Sequence, residues 1–166
     1  MEPDPEVLRL STAEQHSALG HATRLRLLFI LGQREATISQ LAVELDTRKG
    51  NVAHHLKVLT DAGLVRPTRT QQVRGGTEQY YARAARRFEA VGEASRETTT
   101  TALRVAADEI AAAPGDPFLL LRHLRLSVDQ VAGLIEQLAE LANALPEAPS
   151  GEPRHTLLLG VYQRAA

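Results

Sequence analysis

The hydrophobic period of this chain changes at one glycine, and few folds accommodate the change. Before Gly63, the stretch KGNVAHHLKVLTDA (residues 49–62) places Val52, Leu56 and Leu59 on one face of a helix. Gly63 suits the left-handed residue just past a helix end. After it the residues turn extended in character: Val65, then Pro67, then β-branched Thr68 and Thr70. Pro67 restricts Leu64–Gln71 to an edge strand, because proline donates no ladder hydrogen bond. Gly75-Gly76 permits a tight turn, and Glu78–Arg83 reads as the returning strand. Upstream, Ile38, Leu41, Ala42 and Leu45 mark a short helix over Thr37–Leu45, separated from the next by a break at Asp46 and Thr47. Two short helices, a tight turn and a hairpin make a winged helix-turn-helix.

The rest of the chain is assigned around this unit. Residues 1–10 read as a flexible lead-in. Ser11 caps a first helix, with Glu14 at the reciprocal capping-box position. His21–Leu31, ended by Gly32, is a second helix with Leu25, Leu28 and Phe29 on its apolar face. Residues 11–84 form the winged domain. Residues 85–113 form a connecting or dimerisation helix, with a kink expected at Thr98–Thr101, where β-branched side chains lose rotamer freedom. Pro114-Gly115-Asp116-Pro117 stops it. Residues 114–166 then predict a β-α-β unit: a strand over Phe118–Leu126, a helix over Val128–Leu145 capped by Ser127 with Gln130, and a strand over His155–Tyr162. The fold class is mainly α (α+β).

Charge separates the same regions. The chain's net charge of −1 hides 12 basic against 5 acidic residues between Gly20 and Phe88. That block carries a net +7 and the remainder −8. A basic block within an acidic chain is a footprint for a polyanion.

Helical periodicity sorts the candidate contacts. With Val52, Leu56 and Leu59 inward, Lys49, Asn51, His54 and Lys57 face outward, and Gly50 and Ala53 lie near the same rim. Asn51 suits an adenine edge, and Lys49 suits a guanine edge or a phosphate. Lys57 is placed for phosphate, Arg48 is a further DNA-contact candidate, and small Gly50 and Ala53 let a helix approach a groove closely. On the wing, Arg66 and Arg69 are candidates for phosphates, and Arg74 at the hairpin tip for a minor groove. His55, next to core Leu56, reads as a buried structural residue, and His54 as one facing the groove.

The segments LGHATRLRLLFIL, ISQLAVEL, NVAHHLKVLTDAGLV and RGGTEQYYA resemble ArsR-type winged-helix transcription regulators over about residues 12–88. The resemblance implies a homodimer that binds a palindromic operator in double-stranded DNA, usually as a repressor. The chain departs from that pattern where Arg48, Gly50 and Ala53 stand at positions often held by serines. Asp46 or Thr47 is then expected to cap the recognition helix. His21 and Ala22 also stand where a polar cap and a proline are common.

Other chemistry finds little support. With no cysteine there are no thiolate ligands, and the six histidines show no i, i+4 ligand pair. The resemblance implies a further metal site of His and carboxylates on the helix after the wing, but that segment offers Asp108 and Glu109 without a histidine. No metal and no cofactor are expected, and there is no nucleotide-binding glycine motif or nucleophile elbow to suggest an enzyme. No apolar run approaches membrane-spanning length, and the acidic, proline-broken start is unlike a signal peptide, so a soluble cytoplasmic protein is expected. The 114–166 unit is expected either to complete the dimer interface together with helix 85–113 or to hold a small organic effector between Leu119, Leu121, Leu134 and Leu138. The rival to a DNA-binding regulator is a winged-helix protein–protein interaction module without specific DNA binding.

Overall fold

The computed structural model describes residues 7–90, 95–146, 148–149, 151–153 and 155–163. The chain divides into two compact units, residues 1–114 and 115–166.

The first unit opens with β1 (Val7–Leu10), which pairs in parallel with β5 (Arg87–Ala90) in the register Leu8↔Phe88 and Leu10↔Ala90. The lead-in expected to be flexible is therefore strand over its last four residues; residues 1–6 lie outside the described ones. Leu10 is buried in the main core, and Arg9 Nε meets Glu89 Oε2 at 3.3 Å, so the segment is held on both faces.

Next come α1 (Ala13–Leu19) and α2 (Ala22–Leu31). Thr12, not Ser11, caps α1, and Gln15, not Glu14, closes the capping box. The Gln15 N–H donates to Thr12 Oγ1 at 3.2 Å, and Gln15 Oε1 accepts the Thr12 N–H in return. His21 caps α2 with its ring, Nδ1 accepting the Thr23 N–H at 3.2 Å.

A short β2 (Ala36–Thr37) leads into α3 (Ile38–Glu44), again closed by a capping box, Thr37 with Gln40. Then follow α4 (Lys49–Asp61), β3 (Val65–Val73) and β4 (Gly76–Arg83). The last two pair antiparallel, and β2 joins the other side of β4, giving the order β2-β4-β3. Pro67 lies on an edge strand as required, and a register shift follows it before Thr70. Gly63, Gly75 and Gly76 take positive φ, at the end of α4 and at the hairpin tip.

The segment read as one helix over 85–113 is instead β5 followed by α5 (Ser95–Ala112). Arg87-Phe88-Glu89-Ala90 finds a strand partner in β1, 80 residues earlier, which local periodicity cannot reveal. Phe88 also lies under the Arg83 guanidinium at 4.7 Å. Across Thr98–Thr101 the helix continues without a break. Thr98 and Thr101 are buried, and Thr100 Oγ1 donates to the Arg96 carbonyl at 2.9 Å.

The core of this unit joins Leu25, Leu27 and Leu28 of α2, Leu41 of α3, and Val52, Leu56 and Leu59 of α4, with Leu64, Val65 and Val105. Each such side chain contributes roughly 1.5–3 kcal/mol on burial. Arg26 of α2 meets Asp108 of α5 at 2.6 Å, so the carboxylate considered for metal serves as an ion-pair partner.

The second unit contains α6 (Val128–Ala144), with Ser127 and Gln130 forming its capping box. The flanking segments 118–126 and 155–162 form no ladder, and the expected β-α-β sheet is absent among the described residues. The physical reason is that a strand exists only with a partner, and neither segment has one among the described residues. The effector pocket is not enclosed either: Leu119 is 83% exposed and Leu121 68%.

Candidate nucleic-acid interface

The surface is built on α4. Its inward face is Val52, His55, Leu56 and Leu59, all buried; its outward face is Lys49, Gly50, Asn51, His54 and Lys57, all exposed, with Ala53 half-buried at the rim. The two adjacent histidines thus divide as expected from a turn of about 100° per residue. His55 is 5% exposed and its Nδ1 has no hydrogen-bond partner. Its ring lies 4.5 Å from that of His21 and 5.4 Å from that of His54. Burial, the charge of Arg24 and the neighbouring histidines hold both His21 and His55 below the usual imidazole range. No group of three or more metal-ligand side chains capable of holding an ion occurs among the described residues.

The N-terminus of α4 differs from the expectation. Neither Asp46 nor Thr47 caps it; Arg48 occupies the cap position and makes no side-chain cap bond. Asp46 takes a left-handed backbone, φ 46°, which turns the chain between α3 and α4. Thr47 Oγ1 instead accepts a hydrogen bond from Asn51 Nδ2 at 3.2 Å. The helix therefore begins with uncapped N–H groups and the positive end of its dipole, which favour an anion. Asp46, Thr47, Arg48 and Asn51 line an open depression there. A Cβ built on Gly50 meets nothing within 4 Å, so nothing inside the chain demands glycine at that position.

The basic candidates fall into two groups. Arg48, Lys49 and Arg74 are exposed and make no ion pair among the described residues. Lys57 pairs with Asp61 one turn on at 2.8 Å. Arg69 is tied to the body of the domain: its Nε meets Glu35 Oε2 at 3.0 Å and its guanidinium stacks 3.6 Å from the Tyr80 ring centroid. Arg66 is half-buried on β3. Two supporting contacts lie outside the sequence expectation. Thr47 was visible through its i, i+4 spacing to Asn51. Glu35, 34 residues from Arg69, gave no local signal.

The fold and this surface define a winged helix-turn-helix domain. The family pattern described as "Helix-turn-helix domain" matches residues 19–68, which run from the end of α1 into β3. No curated protein matches the chain by sequence. Among solved structures, the chain is similar to the homodimeric winged helix-turn-helix DNA-binding domain of a possible ArsR-family regulator from Mycobacterium bovis. The identity is 28%, covering 58% of this chain and 78% of that one, with a TM-score of 0.40. It is also similar to an ArsR-like transcriptional regulator from Rhodococcus sp. RHA1, at 24% identity over 76% of this chain and 91% of that one, TM-score 0.35. The transcriptional repressor BigR from Xylella fastidiosa matches at 20% identity over 58% and 85%, TM-score 0.39.

Proposed function

We propose that the chain is a sequence-specific DNA-binding transcriptional regulator that acts as a homodimer, with α4 of each protomer in a major groove. The observation that carries this reading is the division of α4. One side is locked into the core, and the other presents Arg48, Lys49, Gly50, Asn51, Ala53 and His54, with the Arg74 turn as a second contact. Two-fold pairing suits a palindromic operator with half-sites about one turn apart, and occlusion of a promoter makes it a repressor acting in the cytoplasm. No described helix is long and apolar enough to cross a membrane. Neither the fold nor the surface suggests an enzyme.

Asn51, oriented by Thr47, reads a base edge. Lys57, Arg66 and Arg69 contact phosphate, the first and last by exchanging their internal acidic partners for it. Binding to the protein's own promoter region, measured at two salt concentrations, tests the reading. Affinity should fall steeply with salt as counterions are released. Flat salt dependence, or no binding, would favour the protein–protein interaction module. Asn51→Ala should cost about 1–3 kcal/mol at one base position, while Lys57→Ala should weaken all DNA alike and reduce the salt slope by about 1.

A further inference from the structure

The C-terminal unit has apolar surface but no core. None of its described residues is buried, and 15 of the 19 exposed large hydrophobics among the described residues lie in it, among them Phe118 at 91% and Leu119 at 83%. A surface of that extent is a binding face. Two segments carry much of it: FLLLRHLRL (118–126) and HTLLLGVYQ (155–163). Both have strand-forming composition, and they are joined through α6, the connection of a right-handed β-α-β unit. Yet they form no ladder with each other or with any described strand. Their backbone N–H and C=O groups call for partners.

A β-α-β unit whose two strands do not pair directly is the split form, in which a further strand lies between them. No other described segment of this chain supplies it, since β1 to β5 are committed to their own ladders. We propose that the missing strand is 118–126 of a second copy of the chain. Each copy inserts its 118–126 between the other's two segments. The resulting sheet has four strands, in the order 155–163 of one copy, 118–126 of the second, 118–126 of the first, 155–163 of the second. Because both strands of one copy run in one direction and both of the other in the opposite direction, every neighbouring pair is antiparallel. The contact is isologous and closed, so it stops at a dimer.

Two further observations favour a second copy over a different protein. Both α6 helices lie on one face of the shared sheet, where their stripes of Val131, Leu134, Ile135, Leu138 and Leu141 are covered. The two segments and that stripe together reach the roughly 20–30 residues a side of a stable interface. Charge also matches: α6 carries Asp129, Glu136 and Glu140 with no lysine or arginine, and it crosses over the partner's inserted strand, which carries Arg122 and Arg125. This pairing does not depend on the DNA reading and holds equally in a chain that binds no DNA.

The absence of native cysteine makes the test direct. Single cysteines are placed at positions 119 to 125 of the full chain and oxidised, and amide hydrogen exchange of the unmodified full chain is followed in parallel. The expected result is a covalent dimer that peaks at the position nearest the two-fold axis and falls away on both sides, with slow exchange across both segments. Leu120→Asp, at a position exposed in the single chain, should abolish both signals while leaving exchange in α2 and α4 unchanged. Fast exchange across both segments would show that nothing in the purified protein covers them, and would overturn the proposal. Slow exchange without cross-links at any position would assign the cover to the chain's own first unit, and would overturn it equally. Loss of DNA binding with the cross-links intact would leave this pairing standing and remove only the regulator reading.

Discussion

Helices α3 and α6 begin with the same device and reach opposite ends. Each opens with a hydroxyl residue that accepts the N–H of a glutamine three positions on, while the glutamine side chain accepts the cap N–H in return: Thr37 with Gln40, Ser127 with Gln130. Each carries an apolar stripe. Yet α3 buries Leu41 and Ala42 against α4 and the sheet, and α6 buries nothing. The difference teaches that capping and periodicity specify an element, whereas burial depends on what stands opposite it. In residues 7–112 the chain supplies its own opposite faces; in residues 115–163 it does not.

The comparison breaks first on truncations. Leu59→Ala, at a fully buried position of α4, should lower unfolding stability by about 2–5 kcal/mol in urea titrations. Leu119→Ala should leave the transition of the first unit within about 0.5 kcal/mol of the parent. An equal loss in both variants would mean that the C-terminal unit is packed into the same core, and the contrast between the regions would fall.

How much of this was legible in the sequence follows the same divide. The faces of α4 could be read because each residue turns the helix by a fixed angle: Val52 and His55 inside, Asn51 and His54 outside. The positive φ of Gly63 and the edge position of Pro67 were equally legible, since each follows from the covalent chemistry of one residue. β1 and β5 were not legible, because they exist only through each other across 80 residues. For the same reason the two apolar segments beside α6 read as strands, though this chain alone gives them no ladder. At the candidate site, exposed positions were legible, but the partners of the basic side chains were not. Arg69 finds Glu35 and Tyr80 only after the wing folds back onto the turn before α3. The expected cap at Asp46 or Thr47 failed because Thr47 is occupied with Asn51 and Asp46 with the turn.

The histidines sharpen the comparison within the first unit. His21 and His55 are held below the usual imidazole range by burial first, with Arg24 and then His54 adding to it at His21, and His21, Arg24 and His54 at His55. The unfolded chain, with ordinary imidazoles near about 6.5, then binds more protons than the folded one as the pH falls. The stability they contribute is present above that value and is lost below it. Melting temperatures taken between pH 7.5 and 5 should therefore fall on the acidic side, and His55→Met should flatten the fall. A profile that is level, or that rises toward acid, would contradict the burial of His55 against His21.

The smallest effect tests function against stability at a single position. Gly50 lies inside α4 with no neighbour within 4 Å of a built Cβ. Gly50→Ala should therefore stabilise the domain by about 0.8–1 kcal/mol, because alanine loses less backbone freedom on entering a helix. If α4 approaches a DNA groove through this position, the added methyl lies in the path of that approach. The variant should then bind its operator more weakly while melting higher. Operator titrations and thermal melts on the same preparation measure both quantities. A variant that gains stability and keeps full affinity would place the closest approach of α4 elsewhere, at Asn51 and His54, and would remove Gly50 from the interface.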